Sequence, residues 1–202
     1  MRKSTDLTRL LLLPTLALVL VSAAIPASAH DATGHAGGFV SGFSHPILGW
    51  DHVIAMVAVG LWGAFLGSRA RWILPVTFPL IMTAGATIGI IGLPLPAVET
   101  GIALSGVVLG LLIAFAVKAP LWIATVIVGI FALFHGHAHG TELPSAANPL
   151  AYAVGFVLAT GLLHLAGIGF GMLTTSRPGR IAIRAMGLAI AAVGGAFLTG
   201  LA

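Results

Sequence analysis

From residue 47 onward, apolar and polar positions alternate in long blocks rather than in short helical or strand periods. Six apolar stretches run about Ile47–Gly67, Trp72–Gly92, Val98–Val117, Leu121–Gly140, Leu150–Leu173 and Ile181–Leu201. Each has roughly the 20 residues that a helix needs to cross a bilayer. Short connections rich in Pro, Gly and basic residues part them: Ser68–Arg71, Leu93–Pro96, Lys118–Pro120, Leu143–Pro144 and Arg177–Gly179. No connection has room for a water-soluble domain. The block before them is different. Arg2, Lys3 and Arg9 precede an apolar run, Leu10–Ala24, and Ala27-Ser28-Ala29 offers small residues for cleavage. That pattern predicts a secretory signal peptide at 1–29, with a retained first anchor as the alternative. The expected fold class is all-α: a polytopic membrane protein with six transmembrane helices after a cleaved signal. The expected division is 1–29 signal, 30–46 periplasmic His-containing leader, 47–202 six-helix bundle.

Composition agrees and narrows the chemistry. The 202 residues are 58% hydrophobic and 7% charged, which suits a membrane bundle. With no Cys, disulfides, thiolate metal sites and cysteine nucleophiles are excluded. The net charge of +4 is not a nucleic-acid signal, because no basic run lies on a soluble face. Its distribution sets topology instead. Beyond the signal, the Lys and Arg residues are Arg69, Arg71, Lys118, Arg177, Arg180 and Arg184. All follow spans one, three and five. The positive-inside rule puts those ends in the cytoplasm and both mature termini in the periplasm, as a multi-pass protein of the bacterial inner membrane. Trp50, Trp72 and Trp122 stand near span ends as interfacial anchors. The pairs Gly63/Gly67, Gly85/Gly89, Gly106/Gly110 and Gly167/Gly171 permit close helix contact, in the bundle or in a homo-oligomer.

The polar residues that remain gather at the other end. Span four closes on Phe134-His135-Gly136-His137-Ala138-His139-Gly140-Thr141-Glu142. His135 and His139 are four apart and share a helical face. Span one opens with His45, Asp51 and His52; His45, His52 and Met56 are spaced by seven and four and are expected on one face. Asp51 is either a ligand or the group that orients His52 through its second nitrogen. Glu99 starts span three. Imidazole and carboxylate are the usual ligands of intermediate-softness divalent metals, and they bind deprotonated, so binding should strengthen as pH rises through the histidine range. The plain alternative is a hydrogen-bonded polar cluster that fixes helix register. His30 and His35 in the leader are secondary candidates beside a free amine. His164, near the middle of span five with Thr160 four residues before it, reads equally as a second metal position, a proton relay or a satisfied buried histidine. Ser105, Thr83 and Thr87 are further candidates for polar lining.

Two motifs carry a resemblance. His45-x5-Asp51-His52 and Phe134-His135-Gly136-x-Ala138-His139-Gly140-x-Glu142 resemble the signature motifs of the HupE/UreJ family, membrane permeases of hydrogenase and urease accessory systems. Signal and span number are similar too, so the likeness covers nearly the whole mature chain. It implies that His45, Asp51, His52, His135, His139 and Glu142 recognise the metal and that Glu99 contributes; His137 falls on a variable position. The function expected is a secondary permease, not an enzyme. It would bring Ni2+, or next Co2+, from periplasm to cytoplasm as cargo, with no prosthetic group. No nucleotide-binding G-x-x-x-x-G-K-[ST] is present, against a self-contained ATP-driven pump. The partners are the ion and membrane lipid, not nucleic acid; an oligomer and a cytoplasmic metallochaperone are left open. Two rivals are an intramembrane zinc hydrolase and a haem anchor held by His52 and His164.

Overall fold

A computed structural model describes residues 38–142 and 148–201, apart from the side chain of Glu142. The signal, His30, His35 and the Leu143–Pro144 connection lie outside the described residues. Seven α-helices follow in order: α1 (Phe39–Leu48), α2 (Trp50–Leu66), α3 (Ala70–Ile90), α4 (Val98–Ala114), α5 (Leu121–Glu142), α6 (Pro149–Gly171) and α7 (Arg177–Leu198), with a 3₁₀ turn at Met172–Thr175. The all-helical expectation holds among them. Helix α2 is the hub. It is buried along most of its length, from His52 to Ala64, and packs on α3, α4, α6 and α7. Around it α3 pairs with α5, α4 with α7, and α1 with α6.

Six spans were expected. Helices α3, α5, α6 and α7 are long and apolar enough to cross a membrane, and α1 with α2 would make a fifth, bent by 79°. Helix α4 has 17 residues, about 26 Å of rise and at the short limit for a span. Its expected end at Val117 is cut back to Ala114 for a local reason. Ala116 takes a left-handed conformation, φ 54°. The freed carbonyls are then captured: Arg184 Nε donates to Ala114 O at 2.7 Å and Trp62 Nε1 donates to Val117 O at 3.1 Å. These bonds tie together the connections that carry the basic residues. At the opposite end, a ring nitrogen of His137 is 2.8 Å from Leu93 O. The two ends of the bundle therefore differ in charge as the sequence predicted. Trp72 and Trp122 are exposed on the outer surface near the basic end, while Trp62 is fully buried.

The leader was expected to run to residue 46, yet Phe39–Leu48 is helical. Its glycine makes that possible. A Cβ on Gly42 would fall 2.0 Å from Tyr152 O, and one on Gly155 would fall 2.2 Å from Phe39 O, so α1 and α6 meet backbone to backbone. Pro46 lies in the last turn of α1, and the chain breaks at Gly49, φ −80° and ψ 107°. The Gly106/Gly110 pair meets α7, Gly85/Gly89 meets α5, and Gly167/Gly171 meets α2. Gly67 departs from its pair: nothing surrounds it, and its φ of 117° ends α2.

Candidate metal centre

The site is built where the bend between α1 and α2 meets the last two turns of α5. His45 from α1, His52 from α2 and His139 from α5 each offer a ring nitrogen, and those three atoms lie within 4.8 Å of one another. The ring centroids are 5.7 Å apart for His45 and His52, 4.8 Å for His45 and His139, and 4.6 Å for His52 and His139. Metal–imidazole bonds of about 2.0–2.1 Å place ligand nitrogens roughly 3–4 Å apart, so shifts of ångström scale or less would close the three on one ion. The one-face expectation for His45 and His52 was wrong in its geometry: they sit on two helices. The break at Gly49 turns α1 back so that the rings converge.

Gly49 does more than bend the chain. A Cβ there would stand 3.0 Å from Asp51 Oδ1 and 3.1 Å from His52 Nδ1. Those two atoms are 2.9 Å apart. Asp51 accepts from the Nδ1–H of His52, which fixes the tautomer and leaves the Nε2 lone pair outward. Nε2 then faces Nε2 of His139 at 2.6 Å. One proton shared between two imidazoles explains that separation without an ion. An entering divalent cation would displace the proton and find the two nitrogens already aimed. This bond lets Asp51 orient His52.

Helix α5 distributes its motif residue by residue. His135 and His139 turn toward α2; the His135 ring is 5.0 Å from that of His52. Gly136 and Gly140 turn toward α3, where added Cβ atoms would fall 2.0 Å from Met82 O and 2.1 Å from Ala86 O. Phe134 lies over Gly101 of α4. His137 points to Leu93 O, away from the cluster. The motif's glycines are therefore packing positions, and its first and third histidines face α2.

Glu99 and Met56 stand outside the three-nitrogen cluster. Glu99 is exposed in the first turn of α4. Met56 is fully buried in the apolar core. Glu142 closes α5, with its side chain outside the description. Thr83 and Thr87 are exposed and donate to Pro79 O and Thr83 O of their own helix. Ser105, in contrast, is fully buried and 3.1 Å from His135 Nε2. His164 is buried and is not among the three converging nitrogens. Sequence reasoning missed the aromatic wall. Phe156 stands 4.5 Å from His139 and 6.1 Å from His45, with Tyr152 6.2 Å from His45. These two are four apart on α6, a spacing that marked a shared face but nothing more.

The family model described as HupE / UreJ protein matches residues 17–197. The chain belongs to the HupE/UreJ family. Protein HupE of Rhizobium leguminosarum bv. viciae is 48% identical over 182 residues, covering 90% of this chain and 95% of that one. No solved structure matches. The HupE/UreJ resemblance read from two short motifs thus extends along nearly the whole chain, and the cluster of His45, His52 and His139 is built from both of those motifs.

Proposed function

We propose that the chain is a secondary permease that carries a divalent transition metal, Ni2+ before Co2+, inward across the inner membrane for metalloenzyme assembly. The observation that carries this is the convergence of three imidazole nitrogens within 4.8 Å, from three helices, at the end that has no Lys or Arg among the described residues. In this reading the chain crosses six times, with α1–α2 as a bent first span and α4 as the shortest, and the positive-inside rule turns that end to the periplasm. Membership of a family named for hydrogenase and urease accessory proteins supports the cargo. His45, His52 and His139 take the ion from water. Asp51 holds His52 in its ligating tautomer, and His135 stands next along α5. Glu99 and Glu142 are the carboxylates that would meet the ion near the entrance. Nitrogen and oxygen donors without thiolate suit Ni2+ and Co2+.

No energy source inside the chain is needed for entry. Two positive charges moving down a negative-inside potential gain about 4.6 kcal/mol per 100 mV. A zinc hydrolase would need a carboxylate to activate water. Asp51, the one carboxylate side chain described at the cluster, is already engaged by His52. The paired-histidine haem anchor also fails, since His52 Nε2 faces His139 rather than His164.

The test is uptake of radioactive nickel by proteoliposomes holding the purified chain. Saturable uptake is expected, falling more than about tenfold in His52→Ala and in His139→Ala. Uptake that survives both substitutions would remove the permease reading.

A further inference from the structure

Below the outer cluster, three buried polar atoms have no hydrogen-bond partner: His135 Nδ1, Thr160 Oγ1 and His164 Nε2. His135 and Thr160 are 0% exposed and His164 is 2% exposed. Buried polar groups are nearly always paired, so three such orphans ask for an explanation. The bonds around His135 say which form its orphan takes. Ser105 Oγ donates its single proton to Ile102 O at 2.6 Å. It can therefore only accept from His135 Nε2, 3.1 Å away. A neutral ring that donates through Nε2 carries a lone pair on Nδ1. That lone pair is chemically able to ligate a cation.

The other two orphans lie one turn apart on α6, at Thr160 and His164. Counting from Pro149 at 1.5 Å per residue, they are roughly 16 and 22 Å along α6. Phe156, beside the outer cluster, is only about 10 Å along. His164 is thus further toward the basic end than the outer histidines. The Phe78 ring joins the two levels, 5.5 Å from His135 and 5.5 Å from His164. The three donors are themselves neutral nitrogen and oxygen.

We propose that His135 Nδ1, Thr160 Oγ1 and His164 Nε2 form an inner binding position for the same divalent cation, beside Phe78 and toward the basic end. The inference rests on the permease reading above. Its outer ligands hold the ion at the mouth. The inner set gives it a second stop without thiolate or fixed negative charge, from which it leaves readily.

The test titrates the purified full-length chain with Ni2+ alone and counts bound metal after dialysis. About two equivalents are expected for the native chain, and about one for His164→Ala and for Thr160→Val, with the remaining affinity unchanged. In proteoliposomes the same variants should lose about tenfold in rate at saturating Ni2+ while half-saturation holds. Retention of two equivalents and full uptake by both variants would overturn the inner position and leave the outer one standing. If His164→Ala lost both ions, Thr160→Val, which keeps the shape and removes the hydroxyl, decides by the same criterion. A native chain that binds and transports no nickel overturns both readings.

Discussion

At the scale of single residues, the site depends on orientation more than on ligand number. His52 is the pivot: one ring nitrogen is held by Asp51 and the other is aimed at His139. Replacing Asp51 by Asn keeps the shape but turns a fixed acceptor into a group that can also donate. Metal affinity should fall about 10- to 100-fold, the usual cost of losing a partner that orients a metal-binding histidine; isothermal titration with Ni2+ checks it, and an unchanged affinity would make Asp51 incidental. Gly49→Ala should act at the same point, since its Cβ would press on both Asp51 and His52. A loss of nickel affinity with the melting temperature preserved is expected, read by titration and a thermal scan together. The residue types of this site were legible in the sequence, because eight histidines and few carboxylates stand out in an apolar chain. Their partners were less so. Nothing local to His137 shows that it bonds Leu93 O, and nothing local to Ser105 shows that it meets His135. Both contacts join residues remote in sequence.

At the scale of elements, helix α5 and the bend between α1 and α2 do the work. The glycines of α5 let it seat against α3 backbone to backbone, and this seating sets the rotation that turns His135 and His139 toward α2. Gly140→Leu should force α5 and α3 apart, since even a Cβ falls 2.1 Å from Ala86 O. Both stability and nickel binding should drop, measured by a thermal scan and by metal titration. A variant that folds with native stability and binds nickel normally would mean that α5 is positioned by other contacts. The apolar blocks revealed these helices because hydrophobic length is a strong signal. They did not reveal the break at Gly49. A run such as His45-Pro46-Ile47-Leu48-Gly49-Trp50 is apolar on either side of the bend, so hydropathy continues through it. What sends α1 away from α2 is its docking on α6 through Gly42 and Gly155, a tertiary contact.

At the scale of the whole molecule, charge separates the two ends. The Lys and Arg residues described all stand at one end, tied together through Arg184 and Trp62, and the histidine cluster stands at the other. On the permease reading, the imidazoles of the cluster take up a metal in place of a proton, while the basic end repels a cation lingering there. Uptake into proteoliposomes should therefore rise when a potassium diffusion potential makes the interior negative and fall when it is reversed. Equal rates under both potentials would rule out net movement of charge with the ion. The ends were readable from the basic residues alone, and His164 with Thr160 four residues before it was already a candidate second metal position; the approach of His164 and His135 to the same Phe78 ring was not, because it joins residues remote in sequence.

The most direct measurement is X-ray absorption at the nickel edge on the Ni2+-loaded chain. A first shell of nitrogen and oxygen containing about three imidazole rings is expected, and it should lose imidazole scattering in His52→Ala and His139→Ala. A spectrum of hydrated nickel, identical in the native chain and both variants, would contradict the account.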